Sequence, residues 1–246
     1  MCGSHRLNEC RALLVTFGNA EVRSLIRKEI THALDETTLM ASLHHPPETP
    51  GMESLRAEYD SGLTFEAMLE AATVSVEMYR NFRERAVVPP EFPARIAATK
   101  GRWHLLVISE DWCGDSVNIV PWIDALASAS SETEMRIIGR DDNLDLMDRH
   151  LTNGRSRSIP IVLLLDERFV ERAWWGPRPG ALQEWFATAE AQALPKAERF
   201  KALRLRYSRD RGRTILEELT AMIEGVAARG AAQEGSAPSA IARAAL

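Results

Sequence analysis

Cysteine is scarce in this chain of 246 residues, which carries only Cys2, Cys10 and Cys113. Three thiols make no disulfide framework, and no cysteine stands with histidine at zinc-ligand spacing. No apolar run approaches the ~20 residues of a membrane-spanning helix. A secretory signal is missing as well, because Arg6, Glu9 and Arg11 interrupt a short apolar stretch near the N-terminus. Positive charge is not in excess. The net charge of −5 argues against non-specific nucleic-acid binding by the whole chain. No internal repeat is visible. These absences leave a globular protein of ordinary composition, expected in the cytoplasm. In that reducing compartment a lone exposed thiol is either inert or chemically used.

What is present concentrates at Trp112-Cys113-Gly114-Asp115-Ser116. The stretch follows an apolar run, His104-Leu105-Leu106-Val107-Ile108, and opens an amphipathic segment from Val117 to Ala127. One cysteine is thereby placed where a strand turns into a helix. Unpaired N–H groups and the positive end of the helix dipole favour a thiolate at that position, and the thiolate is the nucleophilic form.

Around this turn the chain divides into segments. Residues 1–51 read as an extension, poorly ordered or an over-long reading frame, with Met52 as a candidate start of the folded part. Its last stretch, Leu43 to Gly51, holds three prolines and a glycine and reads as a linker. Residues 52–100 read as a helical lead-in. One helix is expected from Thr64, its N-cap, through Phe65, Met68, Leu69, Ala72, Val76, Tyr79 and Phe82, ending before Pro89-Pro90. Within 101–194 the expected order is a strand at Leu105–Ile108, a helix from Cys113 and a strand at Met135–Ile138. A short helix to His150, capped by Asp142 or Asn143, follows. Next comes a central strand at Ile161–Leu165, then a turn at Asp166-Glu167-Arg168 and an antiparallel strand from Phe169 to Trp174. A helix carrying Leu182, Trp185, Phe186 and Ala189 closes the series. Residues 195–225 read as a basic amphipathic helix kinked near Gly212, and 226–246 as a disordered tail. The basic run Lys196, Arg199, Lys201, Arg204, Arg206, Arg209, Arg211 and Arg213 reads as a solvated helix face. The fold class is α/β in three layers, a mixed central sheet with helices on both faces.

From Gly101 to Ala193 the chain resembles the thioredoxin superfamily. The resemblance rests on Trp112-Cys113-Gly114 at the strand-to-helix turn, on Pro121 eight residues beyond the cysteine, and on Ser158-Ile159-Pro160-Ile161 before the third strand. It implies a thioredoxin fold with added N-terminal and C-terminal helices. It also implies a cis proline at Pro160 facing the sulfur, and a backbone edge at Ile159 that pairs with an extended substrate. Trp112, Gly114, Ile159 and Pro160 are therefore the candidate substrate-binding residues. Cys113, Ser116 and Asp115 are the candidate catalytic ones.

The departures from the family pattern are as informative. Ser116 replaces the resolving cysteine, Asp115 replaces a proline, and Val107 stands where a buried acid is usual. A site with one thiol cannot close its own disulfide. Its thiolate can still attack a disulfide and form a mixed disulfide, which an external thiol must then release. The Ser116 hydroxyl can donate to the thiolate, whereas a carboxylate at Asp115 opposes it. The expected function is thus monothiol exchange with protein or small-molecule disulfides. A low-molecular-weight thiol acts as co-substrate, with no bound cofactor, metal or membrane partner. The alternative is a redox-inactive binding or chaperone-like module built on the same groove.

Overall fold

In a computed structural model, residues 43–44 and 53–236 are described, with side chains over 53–232. Four strands of five to seven residues form the sheet: β2 (Trp103–Ser109), β3 (Thr133–Gly139), β4 (Ile161–Leu165) and β5 (Glu171–Trp175). A two-residue edge strand, β1 (Leu43–His44), pairs antiparallel with β5, so the stretch read as a linker begins in the sheet. The spatial order is β1-β5-β4-β2-β3. β2 runs parallel to β3, and β4 is antiparallel to both β2 and β5. β2 and β4 are buried at every position, as strands covered on both faces must be. The expected central place of Ile161–Leu165 follows from this order.

Alternation along the strands makes two apolar faces. Leu105, Val107, Met135, Ile137, Val162, Leu164 and Trp175 face one way. They meet α5 (Gly114–Ala129), α4 (Glu91–Ala98) and α10 (Arg213–Ser236), through side chains such as Val120, Ile123, Ile96, Leu219 and Met222. Leu106, Ile108, Ile161, Leu163 and Leu165 face the other way, onto Leu55, Tyr59 of α1 (Arg56–Ser61) and Leu146 and Met147 of α6 (Leu144–Asp148). The adjacent tryptophans divide accordingly. Trp175 is fully buried, while Trp174 packs against the second face beside His150.

Several helices depart from the expected ones. Thr64 is the N-cap and accepts from the Ala67 N–H at 3.1 Å. The helix it starts, however, is only α2 (Phe65–Ala71), and α3 (Val76–Arg85) is separate. The break exists because the Thr73 and Val74 N–H groups donate to the Asp111 carboxylate at 2.7 and 3.2 Å instead of continuing the helix. Between Pro90 and Ala98 a further helix, α4, forms although Pro93 lies in it. Proline is harmless in the first turn, whose N–H groups have no helical acceptor. The segment after Gly180 is also split, into α7 (Gly180–Ala187) and α8 (Ala189–Ala193), with Thr188 capping α8.

Beyond Pro195 stand two helices, α9 (Lys196–Asp210) and α10, separated by Arg211 and Gly212, both in the left-handed region. Gly212 has φ +73°, and a Cβ there would lie 2.1 Å from the Trp122 ring. Only glycine combines that φ with that close approach. α10 runs past Gly225 to Ser236 and buries Val226, which corrects the expectation of disorder from residue 226. Alanine-rich sequence is good helix sequence once one face is anchored. Residues 237–246 and most of 1–51 lie outside the described residues.

Candidate functional site

Cys113 is the N-cap of α5, with φ −81° and ψ 116°. Its N–H donates to the Glu110 carbonyl at 3.2 Å, and its carbonyl accepts from the Val117 N–H at 3.1 Å. The apolar β2 strand thus delivers the thiol to the first turn of a helix. The residue is 9% exposed. Its Sγ lies 3.4 Å from the Ile159 carbonyl oxygen, to which the thiol donates. The Ile159–Pro160 peptide bond is cis, and so is Gly176–Pro177. The loops that carry these two bonds meet because β4 starts where β5 ends, Val162 pairing with Trp175. At Gly176, φ is +131° and a Cβ would come within 2.4 Å of the Pro160 carbonyl oxygen. Glycine there is what lets the two loops touch.

The other expected site residues fall around this pair. Trp112 is 51% exposed and forms a rim, with the Arg140 guanidinium 4.9 Å from its ring centre. Gly114 is exposed, and open space lies where a Cβ would be. Ser116 is fully buried, and its Oγ has no hydrogen-bond partner. Ile159 and Pro160 are buried at the start of β4.

Asp115 does not stand as a bare charge beside the sulfur. It is 7% exposed. Its Oδ2 accepts from Arg178 Nη2 at 2.5 Å, and its Oδ1 accepts from the Tyr207 hydroxyl at 2.9 Å. Arg178 is itself held by Gln183 at 2.9 Å and by the Phe186 ring at 4.2 Å. Burial, then the charge of Asp115, hold the Tyr207 phenol well above the ordinary tyrosine range, so it remains a donor. The opposition expected between this carboxylate and a thiolate is met by a guanidinium countercharge.

Glu110 and Asp111, in the turn before Cys113, anchor backbone. Glu110 Oε1 accepts from the Asp141 N–H at 3.0 Å. Burial alone would raise the Asp111 carboxyl, but hydrogen bonds from Thr73, Val74 and Trp112 outweigh it and hold the group below the usual carboxylate range. The four buried carboxylates among the described residues all have partners. Asp115 has Arg178 and Tyr207, Asp124 has Arg83, Glu171 has His150, and Glu218 takes the Trp175 indole and the Gly180 N–H. Val107 is fully buried among apolar side chains.

Sequence reasoning missed three residues that the structure places here: Tyr79, whose hydroxyl donates to the Glu110 carbonyl that also accepts the Cys113 N–H, Arg178 and Tyr207. Arg178, two residues after Gly176, belongs to no motif. Tyr79 and Tyr207 each read only as part of an apolar stripe. The basic run of α9 is mostly exposed, yet Arg206 stacks 3.6 Å from the Trp185 ring centre and Arg199 donates to Gln192 at 2.7 Å. No three His, Cys, Asp or Glu side chains converge as a metal-binding group among the described residues. Nor is any helix among them long and apolar enough to cross a membrane.

Residues 62–193 match the family described as thioredoxin. No curated protein matches the chain. Among solved structures, a protein of unknown function from Pseudomonas aeruginosa is similar at 24% identity and a TM-score of 0.57. The match covers 71% of this chain and 99% of that one. A scaffold carrying an HIV epitope is similar at 22% identity and a TM-score of 0.55, over 70% of this chain and 99% of that one. Both likenesses concern the fold.

Proposed function

From the premise that this chain belongs to the thioredoxin family, we propose that it performs thiol–disulfide exchange through the single nucleophile Cys113. The observation that carries the reading is the position of that sulfur. It caps the N-terminus of α5 and touches the Ile159 carbonyl of a cis X-Pro bond. Ionisation passes the Cys113 proton to solvent. The thiolate attacks one sulfur of a substrate disulfide, a Cys113–S–S–R bond forms, and the other half leaves as a thiolate. Ser116 has no sulfur, so this bond is not resolved internally. An external low-molecular-weight thiol attacks it, takes R as a new disulfide and returns the Cys113 thiolate. No cofactor is consumed, and the co-substrate thiol fits a reducing cytoplasm.

The surroundings support the division of labour. The buried Ser116 hydroxyl is free to donate to a thiolate. Arg178 offsets the Asp115 charge. Every buried carboxylate described is already engaged, which leaves no evident carrier for the second proton transfer of a dithiol cycle. With Cys113 9% exposed, the opening suits a small disulfide or a cysteine on an extended peptide laid along Ser158–Ile159, with Trp112 and Gly114 as the opposite wall.

The experiment treats the full chain with oxidised glutathione and maps the adduct by peptide mass spectrometry. The reading requires a mixed disulfide at Cys113, its release by reduced glutathione, and no adduct at position 113 in Cys113→Ser. Near-complete burial of the thiol favours one second reading, a binding module without turnover. Absence of an adduct at Cys113, with partner association surviving Cys113→Ser, would establish that module and overturn exchange.

A further inference from the structure

The N-terminal helical lead-in brings a second hydroxyl to the backbone that carries the nucleophile. Tyr79, on α3, is 1% exposed. Its hydroxyl donates to the Glu110 carbonyl at 3.4 Å, the same carbonyl that accepts the Cys113 N–H at 3.2 Å. A shared acceptor places the phenol beside the backbone of the nucleophile. α3 is fixed in that position independently, because the Asp111 carboxylate takes the Thr73 and Val74 N–H groups just ahead of the helix. The 110–112 loop is therefore clamped at α3 and at the turn that precedes it.

The thiol form of Cys113 donates to the Ile159 carbonyl. A thiolate cannot donate, and that carbonyl would repel it, so the ionised sulfur requires donors. The first N–H groups of α5 supply some. Two hydroxyls remain available. Ser116 Oγ is buried with no hydrogen-bond partner, and the Tyr79 hydroxyl, which lies near the Ser109 and Ser116 hydroxyls, makes a long bond of 3.4 Å to the Glu110 carbonyl, beyond the usual O–H donor range.

We propose that Tyr79 is a second hydroxyl donor to the Cys113 thiolate, acting with Ser116, so that a residue of the N-terminal helical lead-in is part of the exchange site. This rests on the reading of Cys113 as the nucleophile. Burial, followed by the influence of the Cys113 sulfur, pushes the Tyr79 phenol well above the ordinary tyrosine range, with the hydroxyls of Ser109 and Ser116 pulling the other way. The phenol therefore stays protonated wherever a thiolate forms. The other charged or titratable groups facing the sulfur are Tyr207 from α9, Asp115 with its partner Arg178, and the backbone-bound Glu110 and Asp111 of the preceding loop. None of these is altered by removing the Tyr79 oxygen.

The test follows iodoacetamide alkylation of Cys113 against pH in the full chain, with the peptide quantified by mass spectrometry, for wild type, Tyr79→Phe and Ser116→Ala. Loss of one donor moves the midpoint of the rate profile to higher pH by about half a unit or more, a roughly threefold smaller thiolate fraction below the midpoint. The plateau rate at high pH stays within about twofold, and the double variant shifts further. Near-ultraviolet circular dichroism of Tyr79→Phe checks that the fold is kept. Should the fold be lost, 3-fluorotyrosine at position 79 carries the comparison: a more acidic hydroxyl of nearly the same shape lowers the midpoint, and an unmoved midpoint overturns the proposal. A superimposable midpoint in Tyr79→Phe, or a lower plateau at an unchanged midpoint, overturns the proposal. The glutathione adduct distinguishes the two failures. Wild type that forms the adduct while the Tyr79→Phe profile is unmoved retains exchange and loses this donor. Wild type that forms no adduct loses exchange whatever Tyr79 does.

Discussion

Replacing Arg178 by methionine tests whether the first turn of α5 is held by a buried ion pair. The side chains of Arg178 and Asp115 are 10% and 7% exposed, and their closest atoms are 2.5 Å apart, so solvent screening is slight. Methionine keeps an apolar stem to lie on Phe186, where the guanidinium now sits at 4.2 Å. What is lost is the countercharge, and the Asp115 carboxylate remains buried with only the Tyr207 hydroxyl. Removing one partner of such a pair costs about 3–5 kcal/mol. For a domain of this size that corresponds to a fall in Tm of about 6–20 °C. Asp115→Asn in the same background removes the orphaned charge and should recover much of the loss, because the pair is coupled and the two changes do not add. Urea unfolding of wild type, both single variants and the double variant at neutral pH measures this. A cost below about 1 kcal/mol for Arg178→Met, or a double variant whose loss equals the two single losses together, would show that the pair does not hold Asp115.

Two further substitutions test the framework around the site. Asp111→Asn should destabilise the chain in a pH-dependent way. The folded carboxyl is held below its unfolded value, so its contribution is complete above an unfolded pKa of about 4 and disappears as pH falls through the lower folded value. Urea midpoints of the two chains that differ as much near pH 3 as at pH 7 would contradict the bonding to Thr73 and Val74. Gly212→Ala places a Cβ 2.1 Å from the Trp122 ring at a φ of +73°. Left-handed strain and overpacking together should cost about 2–5 kcal/mol, and a thermal melt unchanged from wild type would refute the tight α9–α10 junction.

The parts legible in the sequence were those fixed by near neighbours. The apolar run before Cys113 and the amphipathic stretch after it define β2 and α5 locally. The five apolar residues from Ile161 could only be a buried strand, and the Thr64 cap needs only Ala67, three residues away. What escaped depends on partners far along the chain. The break between α2 and α3 is made by Asp111, 38 residues from Thr73, and no periodicity within 65–82 signals it. Asp115 reads as an obstacle to the thiolate until Arg178, 63 residues on, and Tyr207, 92 residues on, are placed beside it. The alanine-rich end of the chain misleads for another reason. Composition says nothing of position, and an anchored alanine-rich face is compatible with helix.

The buried oxygen of Ser116 invites the reverse of the change that sets this site apart from a dithiol one. Position 116 lies in the first turn of α5, three residues from Cys113, so the two side chains emerge on the same side of the helix. Ser116 is fully buried and its oxygen has no partner, so exchanging oxygen for sulfur breaks no hydrogen bond. Ser116→Cys should therefore fold and should restore internal resolution. After attack by Cys113 on oxidised glutathione, the thiol introduced at position 116 attacks Sγ of Cys113. A disulfide forms between positions 113 and 116, and glutathione leaves as a thiolate without an external thiol. Mass spectrometry under non-reducing conditions should then find the intramolecular disulfide, where wild type retains the glutathione adduct. A persistent adduct in Ser116→Cys, with the introduced thiol still free, would mean that residue 116 does not face the sulfur in the reacting state. In that case the Ser116 hydroxyl could not donate to the thiolate either, and its part in the mechanism would fall with the prediction.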